Sequence, residues 1–191
     1  MIINLFAGPG TGKSTTALGL TYLLKLNGYK ADYVSEYAKE LVYRDCIWDL
    51  YNNHLAILGE QYNRIKLTQK EVDYVVADSP ILLAAVYKTI YEMGGQIPEE
   101  MPKPNGYTNA TLEAFNEFNN VNIILQRSPE RTYQRSGRIQ SKDESESIDI
   151  LIKSFLDKLN IHIDMTIQFQ MDGSHVKELY NFIINHFKQG E

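Results

Sequence analysis

Cysteine is almost absent from this sequence, since Cys46 is the only one among 191 residues. A single thiol can form neither an internal disulfide nor a thiolate cluster that binds a metal. Long hydrophobic runs are missing too, because stretches such as 81–86 are far shorter than the roughly 18 residues that span a bilayer. The first residues lack the basic and apolar regions of a secretion signal. These absences predict an intracellular, cytoplasmic protein without a membrane span.

Positive charge is also scarce, with 19 Lys and Arg against 24 Asp and Glu and a net charge of −5. A protein that coats nucleic acid normally has the opposite sign, so a DNA-binding module is disfavoured, although a local basic groove remains compatible. The hydrophobic fraction of 43% is ordinary for a globular protein. At about 150 residues per domain, the length predicts a single domain over 1–191.

Short apolar segments alternate with longer helical patterns along the chain. This alternation is typical of a three-layer α/β fold, in which helices cover both faces of a parallel sheet. The five predicted strands cover 2–6, 29–35, 72–77, 121–126 and part of 161–169. The predicted helices cover 12–26, 36–43, 48–69, 80–92, 110–119, a stretch after Ser141, and 174–187.

Three serines are predicted to cap helices. Ser35 and Ser79 each precede a predicted helix, and Ser141 with Glu144 forms a capping-box pattern. The stretch 94–107 is rich in glycine and proline and is predicted to be a loop. Its Tyr107 is a candidate wall residue of a functional site, because long loops are often functional.

The segment between the first strand and the first helix matches the P-loop pattern, with Ala in place of the first glycine: Ala7-Gly8-Pro9-Gly10-Thr11-Gly12-Lys13-Ser14. Its glycines permit backbone angles forbidden to other residues, so that successive N–H groups can converge on phosphate oxygens. A chance glycine-rich turn is the alternative, but the motif lies between a strand and a helix, as phosphate binding requires.

Each polar residue of this loop has a predicted role in binding ATP and Mg²⁺. The helix N-terminus adds its dipole, Lys13 reaches the β- and γ-phosphates, and Ser14 ligates the metal ion. The predicted cofactor-binding residues are Gly8, Pro9, Gly10, Thr11, Gly12, Lys13, Ser14 and Thr15.

Two acids follow predicted strands: Glu36 after the second and Asp78 after the third. Ligands in open α/β sheets bind at the carboxyl ends of strands, so both acids are predicted to face one cleft. One acid would accept the proton of an attacking hydroxyl, and the other would hold Mg²⁺. Asp78 is the candidate ligand of the metal ion. A purely structural role for Glu36 in the first turn of a helix is the alternative.

Two further features of the sequence indicate which class of P-loop protein this is. No Asn-Lys-x-Asp base reader of a guanine switch is present, and Ser79-Pro80 rather than a hydrolytic glutamate follows Asp78. A site without that glutamate is better suited to phosphoryl transfer to a bound hydroxyl than to hydrolysis.

An arginine cluster at Arg127, Arg131, Arg135 and Arg138 stands out in this acidic chain. We predict an arginine-rich lid over about 127–146 that neutralises the transferred phosphoryl group and excludes water. A solvated basic surface is the alternative.

The sequence resembles a P-loop kinase-like family that includes the nicotinamide-riboside kinase domain of NadR-type proteins and many small bacteriophage proteins. The resemblance covers nearly the whole chain and rests on 7–14, Ser35-Glu36-Tyr37-Ala38-Lys39-Glu40-Leu41-Val42, Ala77-Asp78-Ser79-Pro80 and Gly137-Arg138-Ile139-Gln140. It implies a sheet in strand order 2-3-1-4-5 and an ATP-dependent kinase with a nucleoside or nucleotide acceptor. Related phage kinases phosphorylate 5-hydroxymethyluracil in DNA, which would place the protein in DNA modification.

Two alternatives therefore remain beside the nucleoside kinase: a kinase of a hydroxylated base in DNA, and a nucleotide-binding regulator with slow ATPase activity. The acceptor and the oligomeric state are left open. The four histidines, His54, His162, His175 and His186, show no paired metal spacing and are predicted to be structural or exposed.

Overall fold

A computed structural model describes residues 1–130, 132–133 and 139–187. Five strands form one sheet in the order β2-β3-β1-β4-β5, and all four pairings are parallel. The strands are β1 (Ile2–Phe6), β2 (Ala31–Val34), β3 (Tyr74–Ala77), β4 (Asn120–Gln126) and β5 (Met165–Gln168). The predicted α/β fold and strand order are confirmed.

Helices lie on both faces of this sheet. They are α1 (Lys13–Leu26), α2 (Tyr37–Tyr43), α3 (Ile47–Asn52), α4 (His54–Thr68), α5 (Leu83–Glu92), α6 (Gly106–Asn116), α7 (Lys142–Lys158) and α8 (Ser174–Phe187). One apolar cluster joins one face of the sheet to α4, α5, α6 and α7, and a second joins the other face to α1 and α8. The central strand β1 is buried along its whole length between them.

Several helix boundaries differ from the sequence prediction. The helix predicted over 48–69 is two helices, because the backbone at Asn53 (φ −107°, ψ 45°) leaves the helical region between α3 and α4. The α6 helix begins at Gly106 rather than Ala110, because the Asn105 side chain accepts a hydrogen bond from the Thr108 N–H at 3.0 Å. Tyr107 is therefore in a helix, and its loop assignment is wrong.

Two of the three predicted caps are wrong, and one is confirmed. Glu36 occupies the N-cap position of α2, while Ser35 donates its hydroxyl to Glu40 instead. Leu82 is the N-cap of α5, three residues beyond Ser79. The Ser141–Glu144 capping box is present at the start of α7.

No helix in these described ranges combines the length and the apolar character needed to cross a bilayer.

Candidate nucleotide and acceptor site

A cleft of about 210 Å³ opens at the carboxyl ends of β1, β2 and β3. Parallel sheets bind ligands at this edge. The cleft is lined by P-loop residues, both predicted acids and residues of four further segments: Pro9, Gly10, Gly12, Lys13, Ser14, Thr15, Glu36, Ala38, Lys39, Val42, Leu50, Asp78, Tyr87, Tyr91, Ile139 and Gln140. Glu36 and Asp78 thus line one cleft beside Lys13, as the sequence predicts.

The three P-loop glycines are needed for different reasons. Gly10 (φ 79°) and Gly12 (φ 118°) adopt the left-handed backbone that disfavours other residues. Gly8 has no such backbone angle, so the sequence argument is wrong for this position. A Cβ on Gly8 would lie 2.7 Å from the Ser145 carbonyl oxygen and 2.8 Å from Asp149 Oδ1. Glycine is required at Gly8 because α7 packs directly against the loop.

The Lys13 ammonium group is buried within the P-loop. Its Nζ donates to the carbonyl oxygens of Ala7 at 2.7 Å and Gly8 at 3.1 Å. Thr11 Oγ1 also donates to the Gly8 carbonyl, at 3.0 Å. These bonds hold a buried positive charge beside the N-terminus of α1, in a loop with two left-handed glycines, and a cation beside a helix N-terminus attracts phosphate oxygens.

Asp78 is the most buried acid of the cleft, with 1% of its surface exposed. Its Oδ2 accepts hydrogen bonds from Ser14 Oγ at 2.5 Å and from the Tyr33 hydroxyl at 2.9 Å. Its Oδ1 is buried and has no hydrogen-bond partner in the part of the chain that the structure describes. A buried carboxylate oxygen that lacks a donor, next to a serine hydroxyl, fits the oxygen ligands that Mg²⁺ prefers.

Ser14 and Asp78 alone would not complete the coordination of Mg²⁺, which would need further oxygen ligands from phosphate or water. Within the described ranges, no group of three or more His, Cys, Asp or Glu has the geometry of a metal site. The predicted metal ligands Ser14 and Asp78 are adjacent, since they are hydrogen-bonded to each other. Two ligands of this kind fit an ion that is shared with a bound nucleotide.

Tyr33 is a site residue that the sequence analysis missed. Burial, and next the charge of Asp78, raise the pKa of the Tyr33 phenol, so it stays protonated and donates to that carboxylate. The contact joins residues 45 positions apart, Tyr33 in β2 and Asp78 directly after the neighbouring strand β3. Only the alternation of β2 could have indicated that Tyr33 points to the same face as the P-loop helix.

Arg127 connects the P-loop to α7. Its guanidinium forms an ion pair with Asp149 and donates to the carbonyl oxygens of Pro9 at 2.8 Å and Ser145 at 2.9 Å. The second Asp149 oxygen accepts from the Gly8 N–H at 2.5 Å. Arg127 thus stabilises the rim of the loop. The other three predicted lid arginines, Arg131, Arg135 and Arg138, lie outside the described residues.

A second, narrower cavity of about 30 Å³ continues from the cleft. Five residues line both spaces: Glu36, Ala38, Leu50, Tyr87 and Tyr91. Tyr91 is the centre of an aromatic cluster, with ring centroids 4.7 Å from Tyr51, 6.2 Å from Tyr87 and 6.2 Å from His54. We call Tyr51, Tyr87, Tyr91 and His54 the aromatic wall.

The aromatic wall and Gln61 were not predicted as site residues. Tyr87 and Glu36 line both the cleft and the cavity, and burial, and next the charge of Glu36, raise the pKa of Tyr87 well above its usual value. Gln61 is buried below them, where its amide accepts from Tyr37 N–H at 3.0 Å and donates to the Ser79 carbonyl at 3.1 Å. These bonds fix α2 and the Ser79 turn around the cavity.

Solved structures with a similar fold carry the same arrangement of sheet and helices. The chain is similar to deoxyadenosine kinase from M. mycoides with bound dCTP (TM-score 0.58, 15% identity), over 97% of this chain and 100% of that one. It is also similar to NadR in complex with NAD and AMP-PNP (TM-score 0.63, 12% identity), over 96% of this chain and 48% of that one. The chain thus spans about half of NadR. No curated protein sequence matches it.

The parallel sheet in order 2-3-1-4-5 with a P-loop after its central strand defines a P-loop kinase fold. A family model described as "AAA domain" matches residues 2–167. The chain therefore belongs to this AAA domain family.

Proposed function

We propose that the protein is an ATP-dependent kinase that transfers the γ-phosphate to a hydroxyl of a nucleoside or nucleotide. The observation that carries this proposal is a single cleft in which Lys13, Asp78 and Glu36 lie together and which continues into an aromatic cavity. One end has the chemistry of a triphosphate site, and the other has flat apolar walls suited to the ring of a base.

On the nucleotide side, the P-loop binds the phosphates of ATP through its N–H groups and Lys13. Ser14 and Asp78 hold Mg²⁺, which when bound neutralises charge on the phosphate oxygens. Tyr33 keeps the Asp78 carboxylate oriented toward Ser14 through its 2.9 Å hydrogen bond. Arg127 holds the rim of the loop at the Pro9 carbonyl oxygen.

On the acceptor side, we assign the role of general base to Glu36 rather than Asp78. Asp78 already accepts two hydrogen bonds on Oδ2, and its buried Oδ1 is the oxygen that we assign to Mg²⁺. Glu36 lies at the junction of the cleft and the aromatic cavity. A base at this junction can take the proton from a hydroxyl as it attacks the γ-phosphate.

The similar structures support a nucleoside acceptor by analogy. Deoxyadenosine kinase binds dCTP and dATP in two of them, and NadR is described in complex with NR in another. A hydroxylated base in DNA would have to enter the aromatic cavity from an unstacked strand. A slow ATPase regulator would need no acceptor at all.

Transfer of γ-labelled phosphate from ATP to a panel of acceptors tests the proposal. The panel holds free nucleosides, nicotinamide riboside, nucleoside monophosphates, and DNA with and without 5-hydroxymethyluracil. We expect label in a small molecule, with transfer abolished in Lys13→Ala and strongly reduced in Glu36→Gln. Label only in hydroxymethylated DNA would make the protein a DNA kinase, and slow ATP loss without labelled acceptor would make it a regulator.

A further inference from the structure

His54, the first residue of α4, lines the aromatic cavity. Its ring is nearly parallel to that of Tyr91, with an interplanar angle of 10°. Its carbonyl oxygen accepts a hydrogen bond from the Tyr107 hydroxyl at 2.9 Å. The backbone and the ring plane of His54 are thus both held in place by neighbours.

The Nε2 ring nitrogen of His54 is buried and makes no hydrogen bond to any residue that the structure describes. Leaving a polar atom buried without a partner is costly, so native proteins rarely do so without a bound water, ion or ligand at that position. The cavity that His54 lines shares Glu36 with the P-loop cleft.

The protonation of the ring follows from its surroundings. Burial, and next the charge of Lys88, lower the pKa of His54, so the imidazole is neutral near pH 7. In a neutral imidazole one ring nitrogen carries the proton and the other accepts a hydrogen bond. An accepting Nε2 requires a donor, and no residue that the structure describes supplies one.

We infer that His54 is a specificity-determining residue of the acceptor site, where its Nε2 accepts a hydrogen bond from an N–H group on the edge of the acceptor's ring. The inference rests on the proposed function. The narrow cavity, about 30 Å³ between aromatic side chains, suits the edge of a planar ring rather than a sugar. Bases with an amino or amide group fit this donor requirement, and rings without one leave Nε2 unpaired.

The test compares acceptors that differ only in the N–H donor. Deoxyadenosine is paired with purine 2′-deoxyriboside, deoxycytidine with the 2-pyrimidinone deoxyriboside, and nicotinamide riboside with pyridine riboside. For each pair, kcat/KM is measured in the wild type, in His54→Phe, which keeps a ring without an acceptor atom, and in His54→Gln, which can place an amide oxygen near the Nε2 position. Melting temperatures establish that both variants fold.

We expect the wild type to prefer the donor-bearing member of at least one pair by about tenfold, the size of one hydrogen bond lost from a buried site. His54→Phe should remove this preference and His54→Gln should restore part of it. Equal preference in the wild type and His54→Phe overturns the assignment while leaving the kinase intact. Transfer to none of these six acceptors, with label in another class of molecule, also overturns it. No transfer to any acceptor overturns the proposed function together with it.

Nitrogen-15 NMR gives a readout that does not depend on turnover. Deoxyadenosine added with a non-hydrolysable ATP analogue should shift the Nε2 resonance of His54 in the direction of a hydrogen-bonded nitrogen. A resonance that stays in place while deoxyadenosine binds means that a structural water, rather than the acceptor, serves this nitrogen.

Discussion

The two ends of the cleft are built from different parts of the chain. The proposed phosphate end is a short local segment, in which six residues between Pro9 and Thr15 line the cleft. The proposed acceptor end brings together the side chains of Glu36 before α2, Gln61 in α4, and Tyr87 and Tyr91 in α5. Phosphate is the same in every nucleotide, so a fixed loop suffices, whereas acceptors differ and require walls that can vary residue by residue.

This comparison predicts the largest effect for the charge at the phosphate end. Lys13→Ala removes the buried cation to which we assign the γ-phosphate, and we expect kcat for phosphoryl transfer to fall by about 10² to 10³-fold. Lys25→Ala is the matched control, because Lys25 is on the same helix but exposed and paired with Asp32. A Lys13→Ala enzyme within tenfold of the wild type would contradict the assignment of the P-loop.

A second prediction concerns the contact between the P-loop and α7. Gly8→Ala forces a methyl group to within 2.7 Å of the Ser145 carbonyl oxygen, so we expect the free energy of unfolding to fall by about 2 kcal/mol in urea titrations. Gly59→Ala is the control, because a Cβ at Gly59 in α4 meets nothing within 4 Å. Glycine to alanine there should stabilise the protein by up to about 1 kcal/mol. Equal effects at the two sites would mean that α7 does not restrict the loop.

The contrast between the ends also explains what could be predicted from sequence. The P-loop is a local pattern, and β1 and α8 have the predicted bounds because their apolar periods are uninterrupted. Tyr33 and Gln61 were missed because their partners Asp78 and Ser79 are 45 and 18 residues away, and only the folded sheet brings them together. Side chains that converge from separate elements leave no local pattern.

The boundary errors have a more local cause. Asn52-Asn53 interrupts the helical pattern and could have indicated the break between α3 and α4, but the apolar period continues across it. Asn105-Gly106 was interpreted as a turn, whereas Asn105 caps α6 through the Thr108 N–H. Asparagine favours turns and N-caps for the same reason, and tertiary packing decides between them.

A third prediction tests the acceptor end directly. Tyr91→Leu removes the ring at the centre of the aromatic wall, so we expect the KM for the acceptor to rise about five- to tenfold with the KM for ATP unchanged. Tyr91→Phe keeps the ring and should have a smaller effect. Steady-state kinetics with each substrate varied in turn measure both constants. An equal rise in both KM values would show that the two ends are not separate.

The smallest effect is expected where α2 is attached to α4. Arg64 donates to both carboxylate oxygens of Glu40 in α2, one of them at 3.0 Å, and this pair supports the helix whose N-cap is Glu36. Glu40→Gln should lower the free energy of unfolding by about 0.5 to 1 kcal/mol at pH 7, because the pair is partly exposed. The KM for the acceptor should rise slightly and the KM for ATP should stay the same. Glu60→Gln is the control, since Glu60 pairs with Arg64 within α4 and does not join two helices.

The pH dependence distinguishes this ion pair from a packing effect. The Arg64 guanidinium that donates to Glu40 lowers the pKa of that carboxyl below its ordinary value. A carboxyl with a lowered pKa in the folded state stabilises the protein above its unfolded pKa of about 4.3, and this contribution is lost as the pH falls through the lowered value. The difference in stability between the wild type and Glu40→Gln should therefore shrink in acid. A difference that is constant from pH 7 to pH 3 would assign the effect to packing between α2 and α4, and the acceptor end would then be held by shape alone.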